Sequence, residues 1–264
     1  MIRRITLPAT TLTLSRLSFG TASLHHLYAQ KSRQALLNTA FDIGITHFDT
    51  SPYYGYGVAE FALGKFLTGK NRADISIATK VGLYSPNPNQ HGIGAALLRK
   101  AMGKISPDFS KPVVDWAVST AAQSLDRSLR RLRTDFIDIL FLHEPQPELI
   151  NSEEFLLWLQ QQQTAGKIRY WGLAGLALPM KKWLEAKHGL AAVIQTKDSV
   201  VQREADVVTG YGRDLQLTYG YLSAGVQQTT EETLRQALQR NRTGSVIFST
   251  RKPERLLDLL HKTF

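Results

Sequence analysis

The sequence predicts an α/β protein, a (β/α)8 TIM barrel preceded by a short N-terminal hairpin. Three observations predict it. Short apolar runs alternate with amphipathic helical stretches along the chain, the pattern of parallel βαβ units; eight such units can be laid end to end; and 264 residues is a length at which single barrels are common. Eight units in one run fit a closed barrel better than an open doubly wound sheet. Residues 1–264 are accordingly read as one barrel domain.

Taken in order, Ile5 to Leu14 alternates around Pro8 and Ala9 and predicts the hairpin. Leu17 to Thr21 is the first barrel strand. Ser32 to Ile43 follows as a helix with Ala35, Leu36, Ala40 and Phe41 on one face, stopped by Gly44. Ile45 to Thr50 and the helix Val58 to Leu67 make the second unit, and Ile75 to Val81 with the helix Asp115 to Leu132 the third. Phe136 to His143 leads into a helix from Ser152 to Ala165, with acids in its first turn and Gly166 past its end. Arg169 to Gly175, the helix Pro179 to Lys187 and the strand Val193 to Ser199 come next. Glu204 to Arg213 is a weak helix interrupted by Gly210 and Gly212, and Leu215 to Tyr221 is the seventh strand. Thr229 with Glu232 reads as a capping box, Ser245 to Thr250 is the eighth strand, and Pro253 opens the last helix. One connection is out of proportion. Residues 84–112 hold SPNPNQHG and a predicted helix Ala95 to Lys104, and as a long βα loop they are a candidate lid over the face where barrel active sites sit.

Composition narrows the function classes. The absence of cysteine removes disulfides, thiolate metal sites and cysteine nucleophiles. No window offers about 18 uncharged apolar residues, and the start of the chain has no signal-peptide pattern, so no membrane association and a cytoplasmic location are expected. The formal charge of +10 suits an anionic small ligand as well as nucleic acid. The basic residues are spread along the chain, and Arg127, Arg130, Arg131 and Arg133 fall at a predicted helix end where cations suit the macrodipole. No nucleic-acid partner is expected.

The stretch GITHFDTSPYYGYG, residues 44–57, carries the chemistry. Asp49 follows strand two, Tyr54 lies five residues on in the same loop, Lys80 closes strand three and His143 closes strand four. A barrel gathers such strand ends on one rim. There a lysine ammonium is expected to lower the pKa of the phenol, an aspartate to hold the lysine charged, and a histidine to position a substrate oxygen. That set describes a proton donor to a carbonyl, or in reverse a base toward an alcohol. Tyr53 and Tyr56 are expected to pack or touch substrate. His143 and Glu144 are not expected to ligate a metal, because adjacent residues on a strand point to opposite sides and no second histidine lies at ligand spacing.

HFDTSPYYG, Ala78-Thr79-Lys80 and LRRLRTDFIDILFLHEP, in that order, resemble the aldo-keto reductase superfamily. The likeness extends from about Ile5 to Leu260 and is tightest between Gly44 and Pro145. It implies that Asp49, Tyr54, Lys80 and His143 form a catalytic tetrad with Tyr54 as general acid. It further implies hydride transfer between NADP, or NAD, and a small-molecule carbonyl or alcohol substrate.

By the same resemblance, Gly20 and Thr21 lie near the nicotinamide, Gln195 bonds its carboxamide and Tyr219 stacks on its ring. Ser249, Thr250, Arg251 and Arg255 would hold the adenosine phosphate at the start of the last helix, a sound anion site. Two features depart from the family. Ala174-Gly175 stands where Ser-Asn is usual, and the segment between Tyr221 and Thr229 is short. Two alternatives stay open: an NADP-binding sensor or regulatory barrel with little turnover, and an aldose or pyridoxal-type dehydrogenase working in the oxidation direction.

Overall fold

Eight short parallel strands close on themselves around the axis of the molecule. The computed structural model describes residues 2–85, 112–223 and 228–263, with the side chains of 259–263 excepted. Two strands, β1 (Arg4–Thr6) and β2 (Thr13–Ser15), form the antiparallel hairpin. The barrel then runs β3 (Leu17–Gly20), β4 (His47–Asp49), β5 (Ser76–Val81), β8 (Ile137–His143), β9 (Ile168–Gly175), β10 (Val193–Lys197), β11 (Leu217–Tyr219) and β12 (Ser245–Phe248), with β12 pairing back to β3. Between β5 and β8, β6 (Leu83–Tyr84) and β7 (Val113–Val114) pair as an antiparallel ribbon. That ribbon joins the two ends of the long connection; the candidate lid and its predicted helix otherwise lie outside the described residues.

The period of two in a strand decides what each residue faces. On β8, Leu140 and Leu142 pack outward among the helices, whereas Ile139 and Phe141 pack inside the barrel, which turns His143 inward too. On β5, Ile77 and Val81 go outward and Ala78 inward. Lys80 therefore shares the inner face. Inside, Ala78, Ile139, Phe141, Ala174, Val193, Leu217 and Ile247 fill the axis, and Leu7, Leu12 and Leu14 of the hairpin plug its N-terminal end. Hydrogen bonds tie the plug down: Thr11 N donates to the Tyr170 hydroxyl at 3.0 Å and Gln216 Nε2 to Pro8 O at 2.7 Å.

The helices are α1 (Gln30–Asp42), α2 (Val58–Leu67), α3 (Val118–Leu132), α4 (Ser152–Thr164), α5 (Lys181–Glu185), α6 (Asp206–Gly210), α7 (Thr230–Arg240) and α8 (Pro253–Thr263). Gly44, at φ +100°, ends the turn after α1. The buried stripe of α1 is Arg33, Leu36, Leu37 and Ala40, so the helix is rotated from the expected face and Ala35 is exposed. Asp115 lies outside α3, whose N-cap is Ala117, and fixes the chain's entry to it by accepting from Ala117 N at 2.8 Å and Thr120 Oγ1 at 2.7 Å. The expected helix Pro179 to Lys187 shortens to α5 because residues 178–180, with Pro179 unable to donate, form a 3₁₀ turn. Thr229 caps α7 by accepting from Glu232 N at 3.2 Å, while the Glu232 carboxylate bonds Arg235 and Gln236. Arg131 does more than sit at a helix end: it pairs at 3.0 Å with Glu60, wholly buried on α2, which also accepts from Thr79 at 2.8 Å.

Candidate active site

Alternation places Gly20, Asp49, Lys80, His143, Gln195 and Tyr219 on the inner face at the C-terminal ends of their strands, above the apolar filling. They line one cavity of about 640 Å³, joined by Tyr53 and Tyr54 from the loop after β4 and by Glu144. Asp49, Tyr54, Lys80 and His143, well separated in sequence, thus meet at one mouth.

Lys80 Nζ donates to Asp49 Oδ1 at 2.6 Å and to Thr50 O at 2.8 Å. Gln195 Nε2 donates to the same Asp49 oxygen at 2.9 Å. Both members of the ion pair are nearly excluded from solvent. The ammonium lies 5.0 Å from the centroid of the Tyr54 ring, and the Tyr54 and His143 rings meet edge to face at 6.0 Å. The loop from Thr50 to Gly57 is fixed locally: Tyr54 N donates to Ser51 O, Tyr53 N to the Ser51 hydroxyl, and Tyr56 takes a left-handed φ of +56°. Tyr53 stacks edge to face on Tyr56 at 6.1 Å, and Tyr53 also lines the cavity.

Burial governs the protonation states. His143 falls to about 3, because its surroundings desolvate the imidazolium and Lys80 repels it. Its Nδ1 is out of solvent and has no hydrogen-bond partner among the described residues. His47, one layer down and bonded to Ser76 at 2.9 Å, falls to about 3 for the same two reasons. Lys80 is lowered by burial, with Asp49 pulling the other way. The Tyr54 phenol is raised well above its ordinary value, by burial first and then by the charges of Asp49 and Glu144. This reverses the expected lowering by lysine: the ammonium is held by Asp49, and removing a phenolate from water costs more than a paired cation returns. A phenol so placed keeps its proton at neutral pH.

The residues the resemblance assigns to a cofactor divide. Gly20, Gln195, Tyr219 and Ser249 line the cavity. Thr21 does not; its hydroxyl and N–H both donate to Asp49 O. Ser249 Oγ donates to Gly20 O at 2.7 Å, and a Cβ at Gly20 would lie 2.6 Å from that Oγ, so a side chain there would displace the serine hydroxyl. Thr250 Oγ1 accepts from Lys252 N at the start of α8, and Arg251 and Arg255 stand exposed, without ion pairs among the described residues. The buried Gln195 Oε1 has no hydrogen-bond partner among the described residues. A buried acceptor at the cavity wall suits an amide N–H of a nicotinamide carboxamide, and unpaired arginines at a helix start suit a phosphate, so these residues fit NAD(P).

Sequence reasoning missed Glu144 and His26 as cavity residues. Position after His143 was a signal for Glu144, but strand alternation argued that it pointed away. The chain leaves the strand there with Glu144 at φ +50°, which breaks the alternation. Among the described residues no helix is long and apolar enough to cross a membrane.

Comparison with known proteins agrees with this geometry. The chain is 34% identical over 139 residues to D-threo-aldose 1-dehydrogenase from a Pseudomonas species, covering 51% of this chain and 41% of that protein. It is 31% identical over 176 residues to L-galactose dehydrogenase from Arabidopsis thaliana, covering 64% and 47%. The matches thus span about half the length of these curated relatives or less. An aldo-keto reductase structure from Bacillus halodurans superposes with a TM-score of 0.79 at 19% identity, over 99% of this chain and 91% of that one, which shows the shared fold. The sequence pattern described as the aldo/keto reductase family matches residues 16–211, and the chain belongs to that family.

Proposed function

We propose that the protein is an NAD(P)H-dependent oxidoreductase that transfers hydride between nicotinamide and a carbonyl or alcohol substrate. The observation that carries this reading is the buried Lys80–Asp49 pair set beneath the protonated Tyr54 and beside neutral His143 in one cavity. A buried ion pair contributes little to stability by itself. At a cavity wall, beneath a phenol, it tunes a proton donor.

Gln195, Tyr219, Ser249, Arg251 and Arg255 would hold the cofactor, which supplies the hydride. In the reductive direction a substrate carbonyl oxygen accepts a hydrogen bond from the neutral His143 ring and takes the Tyr54 proton as its carbon is reduced. The Lys80 ammonium, 5.0 Å from the ring, offsets the phenolate left behind. In the oxidative direction Tyr54 acts as base. Because the phenol is raised by burial, Asp49 and Glu144, the reductive rate should hold constant through neutral pH and fall only in the alkaline range, whereas oxidation should rise there. The named sugar dehydrogenases among the relatives favour an aldose or similar hydroxylated substrate, and Arg251 and Arg255 favour NADP over NAD. We place the enzyme in the cytoplasm as one barrel domain.

Titrating NADPH and NADH by fluorescence, then assaying a carbonyl and sugar panel with Tyr54→Phe as control, tests the reading. Turnover should drop about 10²–10⁴-fold, the usual contribution of a general acid, while cofactor binding persists. Cofactor binding without Tyr54-dependent turnover would point to a sensor instead. No cofactor binding would overturn both.

A further inference from the structure

We propose that Glu144 is a specificity-determining residue, turning the cavity toward carbonyl compounds that bear hydroxyl or ammonium donors and against carboxylated ones. This rests on the reading of the cavity as a carbonyl site.

Glu144 reaches the cavity wall because its backbone leaves the strand at φ +50°, a conformation that residues with a β-carbon adopt uncommonly. Two contacts hold it there. Its N–H donates to Ala174 O at 2.6 Å. Across from it, a Cβ at Gly175 would lie 3.2 Å from Glu144 Cα and 3.4 Å from Cγ. A Cβ there would press on Glu144 without overlapping it, so the glycine at the end of β9 eases the packing of Glu144 against the strand. The glycine at 175 and the bend at Glu144 thus lie against each other.

The charge balance of the cavity gives the placement its meaning. Asp49 and Lys80 cancel in a pair 2.6 Å apart, and His143 is neutral. Glu144 adds a carboxylate with no hydrogen bond or ion pair among the described residues. Its charge reaches the phenols of Tyr53, Tyr54 and Tyr219 and helps to raise each. A substrate placed between those rings lies within range of that charge. An ionised carboxylate is acceptor-only, so it rewards hydroxyl and ammonium groups and repels an anion.

Three sugars of one ring frame, D-glucosamine, D-glucose and D-glucuronate, test this through equilibrium binding by saturation-transfer NMR to the wild type, Glu144→Gln and Glu144→Lys. The wild type should bind glucuronate roughly tenfold more weakly than glucose, the order expected of one hydrogen bond to a charged group, and glucosamine at least as well as glucose. Glu144→Gln should collapse that spread, and Glu144→Lys should reverse it. Where the sugars turn over, the same ranking should appear in KM with little change in kcat. A wild type that does not rank the sugars by charge, or that binds none of them, overturns the proposal, as does a ranking unchanged in both variants. Since binding needs no turnover, failure here is separable from failure of the oxidoreductase reading: loss of turnover in Tyr54→Phe with no charge ranking at Glu144 would sink this proposal and leave that reading standing.

Discussion

Asp49 is the residue on which the site turns, since one of its carboxylate oxygens accepts from both Lys80 and Gln195. Lys80→Met would leave that buried charge with only an amide donor. Breaking a buried pair from one side costs about 3–5 kcal/mol, so urea unfolding of Lys80→Met should show a loss of that order. The double variant Lys80→Met with Asp49→Asn should lose clearly less, because no charge is then stranded. At this scale the sequence was informative wherever a residue's chemistry is unusual for its place. Asp49, Tyr54, Lys80 and His143 stand at the ends of apolar strands, and period-two alternation brings them to one wall. Glu144 was not legible, because its position depends on a single left-handed backbone angle, against which a glycine of the neighbouring strand packs.

Among the elements, α2 and α3 pack closely enough that a Cβ at Gly64 would lie 2.0 Å from Arg131 O. This approach brings Arg131 onto Glu60, and Glu60 onto Thr79 of β5, one residue before Lys80. Gly64→Ala forces the helices apart at backbone rather than at a flexible side chain. It should cost about 1–3 kcal/mol, the usual penalty of overpacking, measured as a lower denaturation midpoint with an unchanged slope. Element existence and order could be read from apolar periodicity, as β8 with its alternating inner and outer residues illustrates. Ends could not be read as well. The helix expected over Pro179 to Lys187 loses its first turn to a 3₁₀ segment, and α1 buries Leu37 where Ala35 was expected, because its neighbours, not its own pattern, choose the face.

For the molecule as a whole, acid should be the weak condition. His47 and His143 both have folded values near 3, below the ordinary value of 6.5, so between those limits the unfolded chain binds the extra protons. Stability is then present above pH 6.5 and is lost as pH falls toward 3, by about 1.4 kcal/mol per pH unit for each histidine in the middle of that window. Unfolding free energies measured from pH 7 to 4 should show this decline, with a shallower slope in His47→Gln. A slope unaffected by that substitution would remove His47 from the account. That the barrel closes was legible from the count of eight units. The hairpin's part as a plug was not, because alternation in Ile5 to Leu14 marks strands without saying which end of the barrel they cover.

The seam between β3 and β12 is fastened by Ser18 Oγ and Ser245 Oγ at 2.6 Å and by Arg16, whose guanidinium donates to the carbonyls of Leu238, Arg242 and Gly244. During synthesis β3 leaves the ribosome before every other barrel strand and β12 leaves after them, so one edge of β3 waits unpaired until the rest of the barrel has been made. Exposed strand edges invite pairing with other chains. The nascent chain is therefore most open to misassembly just before the last strand emerges, and a chaperone that shields apolar edges would help most in that interval.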